Sequence, residues 1–358
     1  MTQMNRIIIY FAALTLLLVN SCNKPIDTTI LEQFDRYIFF SHDVATKATL
    51  LDSNTGLAGF KYGVIGFKYS GTWDAFKTDN DNAKPNVFYG NNNALTNVEE
   101  ITCDANGYGT YAPLQGWSNN LRYTFFAYYP IDNVTLFSRI DGTYSRYEGG
   151  SPYICYSLDN SSNDALKASM VDLMTGQSTN KDLTPTDDKV INGNVSFEFN
   201  HRLSSIGVKA RNSTSGNITI KQISLSLTGI QYGTIIIPLE GGETIRQAPI
   251  SGAFNATLPV AIPEAGVSVT STESELSDKL ILIPQAELQI ALTVNYDRAV
   301  NGYDTINCEN TVNLTIAQLL EGKKYLIPLN FKESTVELGG TAEEGAWGDN
   351  IDVPSTFN

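Results

Sequence analysis

The feature that most narrows what this chain can fold into is a two-residue alternation of apolar and polar side chains that recurs through its second half. Leu288, Ile290, Leu292, Val294 and Tyr296 are spaced by Gln289, Ala291, Thr293 and Asn295. Successive side chains of a strand point to opposite faces, so such a run reads as a strand with one face in a core. Val195, Phe197 and Phe199 repeat the pattern against Ser196 and Glu198, and Ile206, Val208 and Ala210 continue it. Ile218 to Leu227 and Tyr325 to Phe331 are further runs. Only Val312 to Leu320, ending at Gly322, is expected to form a short helix. Strands at this spacing, joined by Gly, Asn and Pro turns, imply an all-β sandwich architecture.

The first half reads less regularly. Leu121 to Tyr129 alternates until an aromatic cluster and stops at Pro130, which predicts a central strand with Tyr123, Phe125 and Ala127 on one face. Gly59 to Tyr69 repeats Gly-Phe-Lys-Tyr; without a following helix start it is a glycine-containing strand rather than a phosphate loop. Tyr153 to Tyr156 reads as a core strand in which Cys155 fills space. Asp79 to Asn97 is expected to be a long polar loop, and Ile30 to Phe40 a strand-like segment. Asp159 to Thr186, poor in aromatics, is the expected interdomain region. At 358 residues, two domains are expected: an N-terminal sandwich over 37–185 and a C-terminal one over 186–358.

Composition excludes several functions. Asp and Glu number 38 against 24 Lys and Arg, a formal charge of −14, which disfavours nucleic-acid partners because phosphate binding needs clustered cations. Two histidines and four cysteines leave few metal ligands and few bases, so no metal, no cofactor and no catalytic residues are expected. His201 follows a core-facing strand and His42 has no catalytic neighbour in sequence. The acidic pairs Glu99-Glu100, Asp187-Asp188 and Glu343-Glu344 are adjacent, and neighbours in a strand face opposite ways, so they form no glycosidase pair. Trp73, Trp117 and Trp347 are the candidates for stacking on sugars.

The N-terminus points to export. Arg6 precedes an uncharged run from Ile7 to Val19, too short for a membrane span of about 20 residues but suited to a signal peptide. Leu18-Val19-Asn20-Ser21-Cys22 resembles a bacterial lipobox. Residues 1–21 are therefore expected to be removed and Cys22 acylated, followed by a tether and the start of a propeptide strand over 22–36. Cys103, Cys155 and Cys308 remain, so at most one disulfide forms among them.

The lipobox, Thr46-Lys47-Ala48-Thr49, Gly63-Val64-Ile65-Gly66, the block from Trp117 ending in Phe126-Ala127-Tyr128-Tyr129-Pro130, Asp172-Leu173-Met174 and Phe197-Glu198-Phe199-Asn200-His201-Arg202-Leu203 occur in order from Cys22 to Trp347. Together they resemble the fimbrillin family of Bacteroides-type bacteria, the type V pilus subunits. The resemblance implies two transthyretin-like β-sandwich domains in tandem and a lipoprotein precursor at the outer membrane. It also implies trimming by a trypsin-like maturation protease and polymerisation with other fimbrial subunits by donor-strand exchange, in support of adhesion to a host or bacterial surface ligand. By resemblance the cut falls after Lys47, with Arg36 as the alternative; the donor is expected in Thr335 to Val353, at Val336, Leu338, Trp347, Ile351 and Val353. A surface glycan-binding lipoprotein, a hydrolase with an unrecognised site, and a non-polymerising anchor or tip component are the competing readings.

Overall fold

The computed structural model describes residues 37–42, 59–78, 87–88, 98–104, 108–132, 135–137, 152–176, 180–191, 193–241, 245–246, 252–276, 278–300, 305–333, 335–339 and 344–346. Among them the chain is almost wholly β, with two short helices, α1 (Trp73–Thr78) and α2 (Asn163–Ser169).

The first sheet holds β1 (Phe39–His42), β2 (Lys61–Tyr69), β3 (Glu99–Cys103), β4 (Tyr108–Thr110), β5 (Arg122–Tyr129), β8 (Met174–Gly176), β9 (Val190–Ile191), β10 (Asn194–Phe197) and β11 (Phe199–His201). Its order is β11-β8-β5-β2-β3-β4-β1-β10-β9. Only Glu198 separates β10, which pairs with β1, from β11, which pairs with β8. One extended run thus links the β11 end of the path to β10, next to its other end, and the sheet wraps around a core. Ile38, Phe40, Tyr62, Val64, Ile101, Phe125, Ala127 and Phe197 fill that core.

As the alternation predicts, Tyr123, Phe125 and Ala127 point inward, while Phe126 and Tyr128 join a second, larger core on the outer face. The glycines of β2 make room: a Cβ on Gly66 would lie 2.6 Å from the Phe125 ring. The segment 159–186 contains α2, capped where Ser162 Oγ accepts from the Ala165 N–H at 3.1 Å, and β8, a member of the first sheet. Strands β9 to β11, which follow the expected division at 185/186, also pair there.

The second half folds as two facing sheets. One has the order β18-β12-β22-β23, built from β12 (Ser204–Asn212), β18 (Ser274–Glu275), β22 (Lys323–Phe331) and β23 (Val336–Leu338). On it β19 (Leu280–Leu282) also pairs with β12, and β24 (Glu344–Ala346) with β22. The other has the order β16-β13-β20-β21, from β13 (Asn217–Tyr232), β16 (Gly252–Val260), β20 (Leu288–Ala299) and β21 (Ile306–Ile316), with β17 (Val267–Val269) on β13. The Tyr296 and Phe331 rings meet edge to face between the sheets at 4.9 Å. The expected helix over Val312 to Leu320 is instead the end of β21: Leu314 and Ile316 are buried and Asn313 is exposed, the period of a strand, and β-branched Val312, Thr315 and Ile316 favour it.

A fourth sheet joins the halves. Its order is β15-β14-β7-β6, where β6 (Thr135–Phe137) and β7 (Tyr153–Tyr156) come from the first half and β14 (Ile235–Pro238) and β15 (Ile245–Arg246) from the second. Beside it Glu240 Oε1 is 3.0 Å from both Lys77 Nζ and Lys181 Nζ.

Candidate assembly site

Strand β1 is short, yet it lies inside the first sheet rather than at an edge. It runs parallel to β10 over Phe39 to His42 and antiparallel to β4 at Phe40 and Ser41. Ile38 and Phe40 are fully buried. The Phe40 ring meets Phe125 edge to face at 5.2 Å and stacks with Phe197 at 5.8 Å; Tyr111 and Phe88 complete the pocket at 5.6 and 6.0 Å.

Polar groups fix the strand as firmly as the rings do. Tyr111 Oη donates to the Ile38 carbonyl at 2.8 Å, the Ile38 N–H donates to the Gln115 carbonyl at 2.8 Å, and Asn194 Nδ2 donates to Ser41 Oγ at 2.6 Å. Burial pushes the Tyr111 phenol up to about 12, so it stays a donor. Across from Phe40, Gly109 is required by space, because a Cβ there would stand 2.2 Å from Ile101 Cγ2.

Arg36 precedes β1 by three residues and Lys47 follows it by five; both lie outside the described residues, as do Cys22 and the other N-terminal positions. The two expected cuts are thus not equivalent. A break after Arg36 leaves β1 on the chain, whereas a break after Lys47 separates it.

At the other end of the chain, Val336 and Leu338 sit in β23, antiparallel to Leu329 to Phe331 of their own β22, with Val336 buried. β24 covers Lys323 to Tyr325 of the same edge, and the Gly339 N–H reaches the Pro328 carbonyl between them at 2.9 Å. Trp347, Ile351 and Val353 lie outside the described residues.

The remaining sequence candidates are dispersed. His201 Nδ1 is 2.6 Å from Asp172 Oδ1 beside the β8–β11 pairing, with the imidazole buried and the carboxylate half-buried. The His42 side chain lies outside what is described. Cys103 and Cys155 are buried free thiols, each pushed up to about 12 chiefly by desolvation, and Cys308 is free and half-buried. Glu100 pairs with Lys61 at 2.6 Å on the surface. Trp73 is 2% exposed and offers no open ring face of the kind a sugar platform needs; Trp117 is half-buried, edge to face with Tyr123 at 4.8 Å, and Trp347 is not described. No group of three or more His, Cys, Asp or Glu among the described residues is arranged to hold a metal.

A family model described as fimbrillin-like matches residues 62–347. The chain belongs to the fimbrillin-like family. Membership makes it a protein of the fimbrial kind. Among solved structures, a candidate cell adhesion protein of Bacteroides uniformis is 15% identical, with 87% of this chain and 98% of that one covered at a TM-score of 0.48. One of Bacteroides ovatus is 17% identical, covering 87% and 96% at 0.43. A candidate adhesin of Bacteroides thetaiotaomicron is 10% identical, covering 89% and 98% at 0.36. No curated protein matches the chain. Sequence reasoning reached the family but missed the pocket around Phe40. Val87, Phe88, Tyr111 and Phe197 come from distant stretches, and no local period marks them as neighbours.

Proposed function

We propose that this fimbrillin-like chain is a structural subunit of a surface pilus, exported as a lipoprotein acylated at Cys22 and held at the outer membrane until a trypsin-like protease cuts after Lys47. The observation that carries the reading is the position of β1. It is an interior strand whose loss unpairs the backbone of β4 and β10 and opens the aromatic pocket of Phe40, and a strand from another subunit restores both. A cut after Arg36 opens nothing, which favours Lys47. The donor positions are then Trp347, Ile351 and Val353, which follow β24 in the chain, because Val336 and Leu338 already complete their own sheet. Structural assembly, not catalysis, is the proposed role, and adhesion follows from the filament.

The test changes Lys47 to Ala and Arg36 to Ala, separately and together, and follows surface polymers of this subunit on gels together with their N-terminal sequence. Lys47→Ala should abolish polymers and leave chains beginning at Cys22, and Arg36→Ala should change nothing. Polymers as abundant as in the parent, still beginning at Cys22, would end the strand-vacancy reading.

A further inference from the structure

The strands that terminate the sheets are closed in different ways. β6, β9, β11, β15, β18 and β23 are two or three residues long and offer little backbone to a partner. β16 is nine residues long but is capped by α2: Asn163 Nδ2 donates to the Thr257 carbonyl and Lys167 Nζ to the Pro259 carbonyl, both at 2.9 Å. β21 differs from all of these. It has eleven residues, pairs with β20 along its whole length without a register shift, and among the described residues no strand or helix pairs with its other side. It carries neither lysine nor proline, the residues that usually blunt an edge, and Glu309 is its one charge. Ile306 at its start is 58% exposed.

We propose that β21 is a homotypic docking edge, at which a second copy of this chain pairs its own β21 antiparallel about a two-fold axis at Thr311. Centring on Thr311 is the one antiparallel register that engages all eleven residues. On the outward face it sets Thr311 against Thr311, Glu309 against Asn313 and Asn307 against Thr315, so no like charges meet, and threonine pairs of this kind stabilise antiparallel ladders. The same contact already exists inside the chain, where Thr311 and Thr293 hydroxyls lie 2.9 Å apart across β20 and β21. On the core-side face Ile306 lies opposite Ile316, which removes the exposed isoleucine from water. A register centred on Glu309 sets carboxylate against carboxylate and leaves the apolar end of the strand unpaired. Pairing at Thr311 makes the β16-β13-β20-β21 sheet continuous across two copies, an association that is independent of the fate of β1. The net charge of −14 on each copy opposes it, so the dimer should gain from salt, which screens charges over about 8 Å at physiological strength.

Opposed Cα atoms of an antiparallel pair lie within the span of a disulfide. The full chain carrying Cys308→Ser and Thr311→Cys, oxidised mildly and run without reductant, should therefore give about ten-fold more covalent dimer than the chain carrying Cys308→Ser alone, and more still with added salt. Glu309→Cys in the same background should give no more than that parent, because residue 309 faces Asn313. Thr311→Lys, which places two cations on the axis, should leave the circular dichroism unchanged and abolish the dimer of the otherwise native chain in sedimentation. Equal cross-linking at 309 and 311, no excess at 311, or a native chain that sediments as a monomer at every salt concentration would overturn the proposal.

Discussion

Truncating Phe40 to alanine asks how much of the first sheet rests on β1. The ring is fully buried, and its four aromatic neighbours lie between 5.2 and 6.0 Å away. Loss of its burial costs about 1.5–3 kcal/mol and the edge-to-face contact with Phe125 about 0.5–1.5 kcal/mol more. A sheet wrapped around its core collapses poorly onto a vacated site, so the cavity adds to this and the total should fall at about 3–5 kcal/mol. The neighbouring Phe39 is half-buried, and Phe39→Ala should cost about 1 kcal/mol. Two of the three tryptophans, Trp73 and Trp117, lie in the first half, so tryptophan fluorescence through a urea titration of the full chain carrying Trp347→Phe reads the relevant transition. Phe40→Ala should lower its midpoint well below that of Phe39→Ala. A loss under about 1 kcal/mol would mean that β1 is a loosely held flap, and the reasoning that its removal opens a groove would fail.

Gly109→Ala forces a Cβ to within 2.2 Å of Ile101 Cγ2 and should cost about 1–3 kcal/mol in the same titration. Glu240→Gln removes the shared partner of Lys77 and Lys181, and should cost about 1 kcal/mol at low salt and less at high salt, read as a shift in the thermal midpoint. The buried acids Cys103, Cys155, Tyr111 and Tyr128, each pushed up to about 12 chiefly by desolvation, and Tyr62, raised well above the ordinary phenol value by burial, are more easily ionised when unfolded. Their contribution is complete below the unfolded values, near 8.5 for thiols and 10 for phenols, and is lost as pH rises towards 12, so stability should fall steeply through that window, with phenolate absorbance appearing only as the circular dichroism collapses. A thiol reagent at neutral pH should leave Cys103 and Cys155 untouched until urea is added, whereas half-buried Cys308 reacts in the native chain; rapid native labelling of either buried thiol, followed by peptide mapping, would contradict this.

Much of the second half could be read directly from its residues, including where the pattern breaks. Ile218 and Ile220 are even-numbered, Ile223, Leu225 and Leu227 odd, and Ile230 even again; the two phase changes coincide with register shifts in β13 at Ile220/Gln222 and Thr228/Ile230. Period two resets at a bulge because the extra residue turns the following side chains over. The apolar run near Val312 misled for a related reason: a short apolar stretch fits a helix face as well as a strand, and only its pairing with Leu288 to Leu292 of β20 decides the matter. In the first half the strands β3, β4, β8 and β9 are too short to show any period, and the wrapping of the sheet through β10 and β11 depends on partners far away in sequence. The site divides the same way. Phe40 was readable as an apolar residue of a strand beside Lys47, but its interior placement depends on Gly109 and Val195, which no local pattern connects to it.

The sheet that joins the halves also sets an order of events as the chain is made. β7 pairs with β6 on one side but finds its second partner only when β14 has been made, and β1, near the start of the chain, pairs in parallel with β10 far downstream. A chain emerging from its N-terminus therefore cannot finish its first half before β14, at Ile235–Pro238, has been made. Until then Ile38, Phe40, Ile154 and Tyr156 are uncovered, and whatever holds the emerging chain has to shield aliphatic and aromatic strand segments rather than a folded intermediate.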